Sequence, residues 1–164
     1  QGARITGDLT YESPPCEGSL RREGDEIIRA DCSNLNVDNV LGIFAPGGDV
    51  TIGNHQSSAS RRAPDDVRIH ASILTANGVV EVENYNYGSP RGAVELLGGI
   101  IEERYGAFGT FSGRTGEMQT GYAREFTFDP RMARGVAPPY FPTVGLDEVS
   151  DTQTFTFGHR EQVY

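Results

Sequence analysis

Lysine is absent from the chain: all 14 basic residues among its 164 are arginine. Without a lysine, Gly113-Arg114-Thr115-Gly116 cannot be a phosphate-binding loop, which needs that side chain and a strand-to-helix setting. Positive charge is scarce altogether, with 23 acidic residues against those arginines, a net charge of −9 and a pI of about 4.7. Binding to nucleic acid depends on clustered cations and on the counterions they release, so non-specific binding of that kind is disfavoured. No apolar run reaches the roughly 18 residues of a membrane-spanning helix. Gln1 is neither a methionine nor part of a signal peptide, and the chain is expected to be soluble and a cut piece of a longer protein.

Cysteine is nearly absent. Cys16 and Cys32 are the 2 present, and with no Cys-x-x-Cys and no Cys/His set beside them a zinc site lacks its ligands. A disulfide between them is preferred to two buried thiols. It would stabilise the fold by about 3 kcal/mol in the chain-entropy model and would imply an oxidising compartment. The 3 histidines, His55, His70 and His159, have no metal-ligand spacing. His70 lies between Ile69 and Ala71, and alternation turns it outward, as a solvated or loop-packed side chain. No calcium loop or calcium-binding repeat is present, and no cofactor is expected.

What the chain does have is glycine, 21 residues, and proline, 9, cutting it into short β-branched and aromatic segments. Strands are predicted over 5–11, 40–45, 49–53, 67–75, 79–84, 93–97, 100–104, 125–128 and 154–157. Over 93–105 the spacing of Ala93, Leu96, Leu97, Ile100, Ile101 and Tyr105 also suits an amphipathic helix, to which Gly98 and Gly99 are adverse.

A repeat decides for strands. Ile43 to Asn54 aligns with Ile73 to Asn84, each reading strand, glycine corner, alternating strand and closing asparagine. Gly7-Asp8-Leu9-Thr10 echoes Gly48-Asp49-Val50-Thr51, and Leu97-Gly98-Gly99-Ile100-Ile101-Glu102 echoes Ala76-Asn77-Gly78-Val79-Val80-Glu81. Such short strands, unable to bury an apolar face alone, predict a single all-β domain over 1–164: a right-handed parallel β-helix, or β-solenoid. Val50, Ile52, Val80 and Val82 would face inward, and Thr51, Glu81 and Glu83 outward. Loops would be inserted at 12–39, 55–66 and 85–91, and the proline and aromatic segment within 129–164 would form a C-terminal cap over the last coil.

The chemistry-bearing residues offer two alternatives to a plain binding surface. Asp65, Asp66, Glu81, Glu83, Glu95, Glu102 and Glu103 would stack outward as a solvated acidic face or, with a basic residue, as the carboxylate cluster of a polysaccharide-acting β-helix enzyme. Arg21, Arg22, Arg61 and Arg62 form the adjacent basic pairs, both in predicted loops, and are the candidate DNA contacts. Tyr85-Asn86-Tyr87 and Tyr140-Phe141 suit stacking on sugars or bases as well as loop packing.

The order of Gly7-Asp8-Leu9-Thr10-Tyr11, Val40-Leu41-Gly42-Ile43-Phe44-Ala45, Ile69-His70-Ala71-Ser72-Ile73-Leu74-Thr75-Ala76-Asn77-Gly78, Glu83-Asn84-Tyr85, Gly98-Gly99-Ile100-Ile101, Gly106-Ala107-Phe108-Gly109-Thr110-Phe111 and Pro138-Pro139-Tyr140-Phe141-Pro142 resembles the carboxy-terminal β-solenoid of bacterial type IV pilus-associated proteins, of the PilX-type or competence-type minor pilins. The resemblance covers about residues 5–142. It implies a non-enzymatic extracellular or cell-surface module, or a periplasmic one, whose partners are other pilus subunits, a surface ligand or DNA. It also implies membrane anchoring through an amino-terminal helix that this sequence does not include. The family has no established catalytic residues to carry over. The insert from Cys16 to Cys32 and the segment after Thr143 depart from its pattern, and partner choice is expected there.

Overall fold

The computed structural model describes residues 2–54, 61–139, 141, 143–146, 153–157 and 160–163. His55 and His159, the first part of the 55–66 insert, Tyr140 and much of the segment after Thr143 lie outside the described residues or, in the last strands, are described for their backbone alone. Among the described residues thirteen strands follow in order: β1 (Ala3–Ile5), β2 (Arg21–Glu23), β3 (Glu26–Ile28), β4 (Gly42–Ala45), β5 (Val50–Ile52), β6 (Val67–Thr75), β7 (Val80–Val82), β8 (Pro90–Ile101), β9 (Gly109–Phe111), β10 (Met118–Phe128), β11 (Thr143–Leu146), β12 (Gln153–Phe157) and β13 (Arg160–Val163). A 3-10 turn at Met132–Arg134 separates β10 from β11. No helix among the described residues is long and apolar enough to cross a membrane.

The expected right-handed parallel β-helix with its C-terminal cap is not the architecture observed. The strands form separate parallel and antiparallel sheets: a five-stranded sheet ordered β4-β6-β8-β10-β9, three-stranded sheets β1-β5-β7 and β11-β12-β13, and the hairpin β2-β3. Turn chemistry explains much of the departure. Ser112 to Glu117 closes a tight turn through Glu117 O and Gly116, whose φ of 74° favours glycine, so β9 and β10 pair antiparallel. Gly24, at φ 62°, does the same between β2 and β3. Of the described residues after Asp129, Met132 meets Ser72 of β6, and Pro138 and Phe141 crowd Gly42 of β4.

The central repeat is nevertheless realised in the strand register. Ile43 pairs in parallel with Ile73, Phe44 with Leu74, Val50 with Val80 and Ile52 with Val82. The other two alignments are not the pairings formed: Ala3 stands beside Val50, and Ile100 beside Ile73. Residues 93–105 are not helical, and the two strands expected there are one, β8, running through Gly98. Gly98 has φ 151°, and a Cβ on it would lie 1.9 Å from the Ala71 carbonyl oxygen of β6, so only glycine lets the strand continue beside its neighbour.

Alternation then builds the core. Val50, Ile52, Val80 and Val82 from the three-stranded parallel sheet are buried with Ile69, Ile73, Val94, Leu96 and Tyr122 from the five-stranded sheet. Burial of each such aliphatic side chain contributes about 1.5–3 kcal/mol relative to exposure.

Candidate functional site

Cys16 and Cys32 are joined as a disulfide, with a Cα separation of 3.9 Å. The bridge is flanked by reciprocal hydrogen bonds between the backbones of Glu17 and Asp31. Beyond it the chain docks on β10: the Ser19 hydroxyl donates to Glu125 Oε2 at 2.6 Å and the Leu20 N–H to Thr127 Oγ1 at 3.1 Å.

The two arginine pairs are mounted separately. Arg21 and Arg22 belong to the β2-β3 hairpin, where Arg21 bonds Glu23 and Arg22 bonds the Gly24 carbonyl and faces Asp25. Arg61 and Arg62 are exposed at the end of β5, where the next residue, Ala63, donates to the Gly53 carbonyl.

The acidic residues are likewise distributed over several structural contacts. Asp65 pairs with buried Arg91, Glu83 with Arg4, Glu95 with Arg68 and Glu103 loosely with Arg104. Asp66 accepts from the Ala93 N–H and Glu102 from the Val80 N–H. Glu81 is pushed above the usual carboxylate range by burial and, secondarily, by Asp49. His70 is half-buried beside Tyr11: its Nδ1 accepts from the Tyr11 N–H at 3.0 Å, the two rings are 5.3 Å apart, and burial followed by Arg68 lowers its pKa. These contacts hold neighbouring segments in place.

The site that the residue patterns did not disclose lies where the core opens between β10 and the segment after β8. That segment covers the edge of β7: the Ala107 carbonyl accepts from Val82, and a Cβ on Gly106 would collide with the Val80 carbonyl. Tyr105 and Phe108 are thereby presented to Arg124 of β10. The Arg124 guanidinium carbon is 4.5 Å from the centre of each ring, and Nη2 donates to the Gly106 carbonyl. This is cation–π geometry on both aromatic partners.

Beside the stack is a cleft of about 490 Å³ walled by Ile100, Ile101, Phe108 and Phe126. A second cleft, of about 430 Å³, reaches Phe111 on the other side of Arg124. Tyr105 is 81% exposed, and Phe111, Phe128 and Ile101 are 55%, 58% and 41% exposed. Arg124 shares a face of β10 with Tyr122 and Phe126, the face that elsewhere enters the core. The alternating aromatic and glycine residues of Tyr105-Gly106-Ala107-Phe108-Gly109-Thr110-Phe111 were the sequence signal; that Arg124 meets them depends on the topology.

The β10 backbone at this site is open. β8 pairs along its whole C-terminal half, whereas β9 covers the opposite edge only from Met118 to Gly121, with one further bond from the Tyr122 N–H to the Phe108 carbonyl. Among the described residues no other strand pairs with that edge over 123–128. An unpaired strand edge beside aliphatic and aromatic side chains can hold an extended ligand. No family model, curated protein or solved structure matches the chain.

Proposed function

We propose that the chain is a non-enzymatic binding or assembly module of an extracellular or cell-surface machine of the pilus type. The observation that carries the reading is the open edge of β10 beside the Tyr105–Arg124–Phe108 stack: a preformed surface with apolar area, a cation and an unpaired backbone edge. The Cys16–Cys32 bridge supports an oxidising extracellular, cell-surface or periplasmic address. Its partners on this reading are other pilus subunits or a surface ligand, and the pilus attribution itself rests on the sequence blocks that carry the resemblance.

Deletion of the gene, followed by assays of piliation, adhesion and transformation, tests the assignment. Loss in at least one, restored by the intact gene, supports it. Normal behaviour in all three overturns it.

A further inference from the structure

We infer that the open edge of β10 takes an extended strand from a partner protein, apolar on the side facing the cleft and carrying one carboxylate that meets Arg124. The inference rests on the binding-module reading and gives its partner a chemistry.

Two independent features converge on a strand. Residues 123–128 supply a length typical of strand pairing, with their other edge already held by β8. Side chains of an added strand would alternate, one set entering the space over Ile101, Phe108 and Phe126, where the core is otherwise open. Backbone pairing supplies affinity there, and the cleft supplies side-chain selection.

Charge fixes the carboxylate. Arg124 is directed into this apolar setting, where its Nη2 donates to the Gly106 carbonyl. Glu102, the acidic residue in the cleft wall, uses Oε2 to accept from the Val80 N–H. Among the described residues no carboxylate pairs with Arg124. A wholly apolar strand would desolvate the guanidinium without replacing its lost water, which is costly. A strand with an aspartate or glutamate opposite it supplies charge-assisted hydrogen bonds instead. Arg124 therefore selects against indiscriminate edge pairing, the hazard of any exposed strand, and in favour of one class of partner.

The test uses the full oxidised chain and a short fluorescein-labelled peptide of alternating valine and threonine, with one central valine replaced by aspartate. Fluorescence anisotropy should show saturable binding, about tenfold tighter than for the same peptide with asparagine in place of aspartate. The aspartate preference should vanish in Arg124→Gln, and N-methylation of the peptide backbone on its pairing edge should abolish binding. The aspartate-to-asparagine comparison is made on unaltered protein, so it does not depend on the folding of a variant.

Absence of binding, aspartate preference retained in Arg124→Gln, or equal binding of the N-methylated peptide each overturns the inference. A dimer in sedimentation that dissociates in Arg124→Gln would assign the edge to a second copy and overturn it too. Peptide binding as expected alongside normal piliation, adhesion and transformation after gene deletion would sink the pilus reading and leave the edge assignment standing. A deletion phenotype without peptide binding would sink the edge assignment alone.

Discussion

Arg131 and Asp129 form a buried ion pair within a single turn of chain, with Nη2 to Oδ2 at 2.6 Å and side-chain exposures of 1% and 5%. Arg131 Nη1 also donates to the Val37 carbonyl at 2.7 Å, and the guanidinium lies 5.5 Å from the centre of the Tyr11 ring. One side chain thus fastens the segment after β10 to the 12–39 excursion. Removing one partner strands the other charge away from water. Asp129→Ala should therefore lower stability by roughly 3–5 kcal/mol, read as a shift in the urea midpoint with an unchanged slope. A loss below about 1 kcal/mol, the range of a surface pair, would show that the pair is solvated in solution.

The Cys16–Cys32 bridge predicts a specific pattern of thiol labelling. Native protein should take no alkylating label at either position, and reduced protein should take it at both, as resolved by mass measurement. The Cys16→Ser, Cys32→Ser double variant should lose about 3 kcal/mol. Equal labelling before and after reduction would reject the bridge and remove its support for an oxidising address.

Legibility followed from whether an interaction was written into local spacing. The pairing of Ile43 with Ile73 and of Val50 with Val80 was visible because both partners belong to copies of one pattern. The closing asparagines follow the same offset, with Asn54 Nδ2 donating to the Asn84 carbonyl at 3.0 Å. The flanking alignments misled because a glycine followed by alternating residues fits several registers, and tertiary packing chose Ala3 beside Val50. The β-helix expectation failed because the parallel pattern of the central repeat was extended to the whole chain, whereas the turn at Gly116 reverses it between β9 and β10. Arg131 carries no sequence signal of burial, because arginine is usually solvated and its burial depends on Asp129 arriving with it. The Tyr105–Arg124–Phe108 stack joins separate segments, so the aromatic run at 105–111 is a local signal but the arrival of Arg124 is not.

Gly98 provides a test of the uninterrupted β8. Its φ of 151° disfavours any side chain, and a Cβ there would meet the Ala71 carbonyl at 1.9 Å. Gly98→Ala must part β8 from β6 at that point, and the expected loss is about 1–3 kcal/mol from backbone strain, with more if the strands separate further. Gly99→Ala is the control, since a Cβ at Gly99 meets nothing within 4 Å. Equal chemical-denaturation midpoints for the two variants would contradict the described pairing.

His70 makes stability pH-dependent in a direction its surroundings dictate. Burial, then the Arg68 charge, hold its folded-state pKa below the ordinary value of 6.5, while Glu95, Asp129 and Asp8 oppose the shift. The unfolded chain therefore binds a proton at His70 more readily than the folded one. Its contribution to stability is complete above the unfolded pKa of about 6.5 and declines as pH falls from there through the depressed folded pKa. Protonation of Nδ1 would also remove the acceptor for the Tyr11 N–H. His70→Asn keeps an acceptor near the Nδ1 position without a titrating group. Urea unfolding of both proteins from pH 7.5 down to pH 5 should give a stability difference that shifts in favour of the variant as pH falls. A constant difference across that range would mean that His70 titrates alike in both states and is not held against Tyr11 in solution.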